Sequence, residues 1–296
     1  MELHRLALLT MENLAGFVCD DVLAVRALER HGWKVEFIPW RSRQDWDEFD
    51  LVVIRSTWDY HKDPDRFIET LREIDASKAC LQNPISLVEW NLRKTYLRDL
   101  EAKGVPVVPT YWMSGVDPAG LAECFDTWRT SELVLKPVVG AAAARAHRLR
   151  RAEVRGRLEE LRSIYPGDLV LVQPFMPWVV LEGEYSLFYF AGQLSHVVLK
   201  TPKSPDFRSQ EEHGGLIRGL FQEGMEPQLV KHADRAMAAL ALTPLYARVD
   251  LVRWEDRFLV MEFELIEPAL YFRTDPGSPE RFARGVDRLF EGVSSE

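Results

Sequence analysis

Cysteine is scarce in this chain: Cys19, Cys80 and Cys124 are scattered and odd in number, which argues against a disulfide framework and against a CxxC-type zinc site. All three are expected to be reduced thiols. No apolar run is long enough to cross a bilayer, and no basic, apolar, cleavable leader follows Met1. The expectation is a cytoplasmic protein with no membrane partner. Positive charge is in deficit, because 37 Lys and Arg face 46 Asp and Glu for a formal net charge of −9. That balance repels a phosphate backbone and makes nucleic acid an unexpected partner. Gly140-Ala-Ala-Ala-Ala144 lacks the GxxxxGK[ST] spacing of a P-loop, and no GxGxxG follows the first strand-like run. There is no G-x-S-x-G elbow either, so Ser56, Thr57 and His61 do not make a hydrolase.

What is present is the composition of an ordered chain of several subdomains: 296 residues, 47% hydrophobic and 28% charged. Leu6–Thr10, Val35–Pro39 and Leu51–Ile54 read as strands, and Asp21–His31 and Pro64–Asp75 as helices, so residues 1–82 form an expected open α/β domain. Ligands of such sheets bind beyond the carboxyl ends of the strands, here near Thr10–Asn13 and at Arg55-Ser-Thr-Trp-Asp-Tyr60. A second unit, residues 83–173, opens with an expected helix from Trp90 to Ala102. Val107-Val108, a helix from Pro118 to Trp128, the strand Leu133–Pro137, a charged helix from Arg148 to Ser163 and the strand Leu169–Gln173 follow. After a hinge at Pro174, residues 174–296 carry a hairpin (Tyr185–Phe190 and Leu194–Lys200), a polar loop over Thr201–Gly215, a helix from Gln228 to Leu240, and a second hairpin.

That second hairpin, Tyr246–Val252 and Phe258–Leu265 around the turn Trp254-Glu-Asp-Arg257, is the most informative stretch. Side chains alternate across a strand, so Arg248 and Asp250 share a face, as do Glu262 and Glu264. Val249, Leu251, Met261, Phe263 and Leu265 take the other. A turn centred on Asp256 places Asp250 opposite Glu262 and gathers three carboxylates in one small area. Mg²⁺ between them relieves the repulsion and brings nucleotide phosphates with it; a solvated polar face with Arg248 as counter-ion is the plainer alternative. Lys136, ending an apolar strand, suits a phosphate contact or an edge lysine. Lys203, Arg208 and His213 punctuate a loop able to close over a triphosphate.

In this order, the metal hairpin, strand lysine, hinge and loop make the chain resemble the ATP-grasp superfamily. The stretches Arg55-Ser-Thr-Trp-Asp-Tyr60, Val134-Leu-Lys-Pro137, Gly183-Glu-Tyr-Ser186, His196-Val-Val-Leu-Lys200, Asp206-Phe-Arg208 and Glu262-Phe-Glu-Leu-Ile-Glu-Pro268 are similar to its O-ureido-D-serine cyclo-ligase (D-cycloserine synthetase) branch. The resemblance implies an α/β (α+β), three-subdomain ATP-grasp fold with ATP between two antiparallel sheets: an N-terminal domain over 1–82, a lid over 83–173 and a metal-bearing subdomain over 174–296. By position, Lys94 and Lys136 would meet the phosphates, with Arg145 assisting the Gly140 loop. Gln173 and Phe175 would line the adenine pocket and Glu184 would meet the ribose. Asp250, Glu262 and Glu264 would hold Mg²⁺, with the ion count open because many relatives carry Asn where Glu264 stands. Arg248, Lys200 and Arg208 would be catalytic. A small amino-acid-like carboxylate would meet Arg55, Ser56, Thr57, Asp59 and Asp21, while Trp58 and Tyr60 either touch it or pack against the lid. The implied reaction is carboxylate activation as an acyl phosphate followed by attack of a nitrogen in the same molecule. An external amine and a non-catalytic nucleotide-binding regulatory module remain open alternatives, and related enzymes are often homodimers.

Overall fold

The apolar runs at Leu6 and Leu51 become the two central strands of a parallel sheet in the computed structural model, which describes residues 3–140, 145–167, 169–220 and 225–293. In chain order the first unit contains β1 (His4–Thr10), α1 (Val22–Arg30), β2 (Trp33–Pro39), β3 (Leu51–Ser56), α2 (Pro64–Asp75) and β4 (Cys80–Gln82). The spatial order is β2-β1-β3-β4, with every pair parallel. Leu6, Leu8, Leu51 and Val53 pack in one cluster with Ala24, Ala27 and Leu28 of α1. Ala7, Leu9, Val52 and Ile54 pack in another with Phe67, Leu71 and Ile74 of α2. Strands covered on both faces read as unbroken apolar runs, as these do.

The next two helices are α3 (Ile85–Asn91) and α4 (Tyr96–Ala102). The single helix expected from Trp90 is therefore two, broken at residues 92–95. Lys94 lies in the break, and its backbone N–H donates to the Val138 carbonyl at 2.8 Å. Leu87, Tyr96, Leu97 and Leu100 of these helices join a core cluster with Leu187, Val249 and Phe263 of the last sheet.

A four-stranded antiparallel sheet follows, from β5 (Tyr111–Ser114), α5 (Pro118–Thr127), β6 (Glu132–Pro137), β7 (His147–Arg150), α6 (Val154–Ile164) and β8 (Leu169–Pro174), in the order β5-β8-β6-β7. The helix expected from Arg148 starts only at Val154, because residues 147–150 pair with β6 and Leu149 is buried opposite Leu133. Val107-Val108 does not form a strand; Val107 makes an isolated bridge to Val260. The expected Gly140 loop falls in part on residues 141–144, outside the described residues.

The last sheet runs β11-β10-β9-β12-β13 and is antiparallel throughout. Its chain order is α7 (Trp178–Leu181), β9 (Glu184–Phe190), β10 (Gln193–Thr201), β11 (Leu216–Leu220), α8 (Pro227–Ala238), β12 (Tyr246–Trp254), β13 (Arg257–Glu264) and α9 (Ser278–Val293). Leu187, Tyr189, Ala247, Val249, Leu251 and Phe263 cover one face together with α3, α4 and α8. On the opposite face Phe188 and Tyr246 pack with the first unit, while Glu184, Ser186, Arg248, Asp250, Glu262 and Glu264 continue the same alternation toward the middle sheet. No helix among the described residues is long and apolar enough to cross a membrane.

His31, at the end of α1, pairs with Glu280 at 2.9 Å and with Asp287, both on α9. Hydrogen bonds to Glu280 and then Asp287 raise its pKa above the ordinary imidazole value. A group whose folded pKa is raised adds stability that is fully present below the unfolded pKa, about 6.5, and is lost as pH rises through the folded value. The urea midpoint of the wild type is expected to fall more between about pH 6 and pH 9 than that of His31→Gln. Parallel pH profiles would remove this linkage.

Candidate active site

The β12–β13 turn contains only Glu255 and Asp256, with Glu255 at φ +56°. A regular ladder from that turn would set Asp250 opposite Met261. A bulge between Asp250 and Leu251 absorbs one residue, so Leu251 pairs with Val260, Asp250 with Glu262 and Arg248 with Glu264. Met261 is the extra residue. It therefore lines the cleft beside Glu262 instead of joining the apolar face expected from strict alternation, because a bulge locally breaks the two-residue period.

Asp250 is fully buried and accepts hydrogen bonds from Ser186 Oγ at 2.6 Å, Arg248 Nε at 3.0 and 3.1 Å, Arg248 Nη2 at 3.0 Å and Lys200 Nζ at 3.1 Å. Lys200 also pairs with Glu184, Arg248 with Glu264, and Lys94 with Glu262. Burial opposes ionisation of Asp250, but Arg248 and then Lys200 outweigh it and hold the carboxyl below its usual range. Glu262 is likewise held down against burial by Lys94 and Lys136. Glu264 is pushed up to about 7 by burial, with Arg248 opposing and Glu262 and Asp250 adding to the rise. One oxygen from each of Asp250, Glu262 and Glu264 lies within 4.8 Å of the others. Three hard donors at such separations fit a divalent cation. Glu262 and Glu264 keep 20% and 28% of their side chains exposed and offer the open oxygens.

Beside this cluster, a cleft lies between the two antiparallel sheets. Lys136 and Gln173 reach it from β6 and β8, Glu184 and Glu262 from β9 and β13, and Phe175 from the segment just after β8. Phe207, in the loop after β10, approaches Phe175 edge-on at 6.2 Å, and the Arg148 guanidinium lies 3.7 Å from the Phe175 ring centre. Gln173 Nε2 donates to Thr110 Oγ1 at 3.0 Å, and Glu184 accepts from Ser209 Oγ at 3.2 Å. The loop is pinned by its glycine: a Cβ on Gly215 would lie 2.1 Å from the Ser209 carbonyl oxygen. Lys136 forms no ion pair among the described residues, and burial lowers its pKa. Lys136→Ala is expected to raise KM for ATP about tenfold to a hundredfold, the worth of a hydrogen bond to a charged group, without lowering the melting temperature. An unchanged KM for ATP would contradict the expected contact between Lys136 and a phosphate.

The remaining sequence-predicted residues divide sharply. Arg208 lines this first cleft but is forked onto Asp206, at 2.7 Å from Nη2. Arg145, at φ +58°, donates to the Ile164 carbonyl at 3.5 Å and is exposed; it is not brought to the cleft. Arg55 is 1% exposed and donates to Asp21 Oδ1 at 3.2 and 2.9 Å and to the Pro268 carbonyl at 2.9 Å. Ser56 donates to Thr10 Oγ1 at 3.0 Å, and both Ser56 and Thr57 are fully buried. Asp59 accepts from Trp40 Nε1 at 2.7 Å. Of this segment it is Trp58 and Tyr60 that line a second cleft, with Phe17, Glu264, Glu267 and Tyr271. The two clefts share Lys94, Gly140, Gln210 and Glu262.

A family model described as D-cycloserine synthetase DcsG, N-terminal domain, matches residues 6–83. The cycloserine biosynthesis protein DcsG of Streptomyces lavendulae is 32% identical over 260 residues, covering 82% of this chain and 84% of the relative. The chain belongs to the D-cycloserine synthetase family of ATP-grasp ligases. The crystal structure of D-cycloserine synthetase DcsG matches this ligase with a TM-score of 0.84 at 27% identity, over 97% of this chain and 99% of that one. D-alanine–D-alanine ligase from Bacillus anthracis matches with a TM-score of 0.69 at 13% identity over 98% of each chain, a likeness of fold alone. The ligase is thus an ATP-dependent carbon–nitrogen ligase.

Several residues at the site of this ligase have no role assigned by pattern or by resemblance. Ser186, the partner of Asp250, shares the parity of Glu184 and is legible by alternation alone. Ser209 and Gln210 lie in an irregular loop, and Glu267 follows the last strand, where no period applies. Together the side chains gather cations, carboxylates and a ring-lined recess at the junction of the two clefts.

Proposed function

We propose that this ligase activates the carboxylate of a small amino-acid-like acid as an acyl phosphate and closes a ring by attack of a nitrogen in the same molecule. The observation that carries this reading is the junction of the two clefts at Lys94 and Glu262, which sets the lysine-bearing end of one against the ring-lined recess of the other. Lys94 and Lys136 bind the phosphates, Gln173 and Phe175 the adenine, and Glu184 the ribose. A Mg²⁺ held by Glu262, Glu264 and Asp250 would neutralise phosphate charge when bound. The carboxylate oxygen attacks the γ-phosphorus, the bond to the bridging oxygen breaks, and ADP leaves. Arg248, with Lys200 behind it and Arg208 at the loop, stabilises charge that develops on the transferred group. The nitrogen then attacks the acyl carbon, phosphate departs with the bonding pair, and the nitrogen loses its proton to solvent. With an O-ureidoserine, water removes the carbamoyl group left on that nitrogen as carbon dioxide and ammonia.

Residues 1–82 face the acid, 83–173 provide the lid and 174–296 the metal strands. The moving part of the lid begins after α4, since α3 and α4 share the core of the last sheet. Closure of the loop bearing Phe207 and Gln210 excludes water from the acyl phosphate. Incubation with Mg-ATP and O-ureidoserine is expected to give ADP, phosphate and a cyclic product by mass. Absence of ADP formation with any amino-acid-like acid would overturn the reading, and a requirement for a second amine would move the nucleophile to another molecule.

A further inference from the structure

The segment after β13 has no regular secondary structure, so its carbonyls lack ladder partners. Four successive ones nevertheless find side-chain donors. Asn83 Nδ2 donates to the Leu265 carbonyl at 2.7 Å, Tyr246 Oη to Ile266 at 2.7 Å, Trp58 Nε1 to Glu267 at 2.9 Å and Arg55 Nη2 to Pro268 at 2.9 Å. Asn83, Tyr246 and Arg55 are almost completely buried. As a set these bonds fix one backbone path. What that path presents is Glu267, 8% exposed, in the second cleft with Trp58, Tyr60 and Tyr271. The other buried and half-buried carboxylates of the two clefts have cationic partners: Glu184 and Asp250 have Lys200, Glu262 has Lys94 and Glu264 has Arg248, while Glu212 is exposed. Among the described residues, the Glu267 carboxylate has no ion pair and no side-chain donor. A buried carboxylate without a cation is costly, and the recess it lines opens onto Arg248 and the phosphate junction.

We propose that Glu267 binds the α-ammonium group of the acid substrate, with Arg55, Trp58 and Tyr246 as positioning residues. The inference rests on the amino-acid reading above and deepens it. The carboxylate of the same α-carbon then turns toward Arg248 and Lys94. An amine held as ammonium has no lone pair, so it is removed as a competing nucleophile, and the acyl phosphate is left to the side-chain nitrogen. Glu267 thus sets which nitrogen reacts as well as which acid enters.

The test compares O-ureidoserine with its desamino analogue, in which hydrogen replaces the amino group, on wild type, Glu267→Gln and Glu267→Asp. Wild type is expected to prefer the amino acid by about a hundredfold or more in kcat/KM. Glu267→Gln raises KM for the amino acid about tenfold to a hundredfold, leaves KM for ATP unchanged and leaves the desamino analogue unaffected, so the preference collapses. Glu267→Asp recovers part of it. The inference is overturned if Glu267→Gln keeps the full preference, if it loses both acids equally, or if it loses ATP affinity in parallel. Equal use of both acids by wild type would sink the Glu267 assignment while leaving the ligase reading intact; turnover of neither acid would sink both.

Discussion

Arg248→Ala is expected to lower kcat by about 10²- to 10³-fold, the scale seen when a preorganised donor to developing charge is removed. The same change should destabilise the protein by about 3–5 kcal/mol, because it strips a buried carboxylate of its main counter-ion. Asp250 would keep Lys200 and Ser186, but Glu264 would lose the only cation it pairs with among the described residues. Arg248 grips Asp250 through Nε and Nη2 together, a fork that an ammonium cannot reproduce. Arg248→Lys should therefore recover more of the stability than of the rate. Urea midpoints and single-turnover ADP formation separate the two effects. Retention of kcat within tenfold in the alanine variant would remove Arg248 from the reacting centre.

Arg55→Leu is the second large effect, and here stability dominates. Arg55 and Asp21 are 1% and 3% exposed, so removing one partner leaves a buried, uncompensated charge, a loss of about 3–5 kcal/mol. The Pro268 carbonyl loses its donor as well. Replacing both members, as in Asp21→Leu with Arg55→Leu, should restore much of the stability, because a buried pair is often matched by well-packed apolar residues. The backbone under Glu267 would still be loosened in the double variant, so KM for the acid should stay raised while KM for ATP does not move. A single variant within 1 kcal/mol of wild type, measured by urea unfolding, would contradict this account of the pair.

How much of this was legible beforehand follows from where a period exists. The parallel sheet was readable because β1 and β3 are buried on both faces and so appear as unbroken apolar runs. The charged face of β12 and β13 was readable because Arg248 and Asp250 keep one parity on their strand, as do Glu262 and Glu264 on theirs. Met261 was misplaced because a bulge leaves no mark on composition. Trp90–Ala102 looked like one helix because nothing in its pattern records the hydrogen bond that pulls Lys94 toward Val138. Arg55 was expected at the substrate because it ends a strand at the ligand edge of the sheet; its guanidinium turns inward to Asp21 and Pro268 instead. Long-range pairs of that kind, like the donors that hold residues 265–268, have no local signature. Glu267 lies inside the stretch Glu262–Pro268 that carries the resemblance, but its setting depends on three separate stretches of chain.

In the proposed reaction a carboxylate oxygen of the acid bonds to the γ-phosphorus of ATP before a nitrogen displaces it. The acid labelled with ¹⁸O in both carboxylate oxygens tests this directly, with mass analysis of the inorganic phosphate released during turnover. Carboxylate activation requires one labelled oxygen in each phosphate released. Phosphate that carries no label, formed alongside the ligated product, would show that the carboxylate is not the group phosphorylated and would contradict the account.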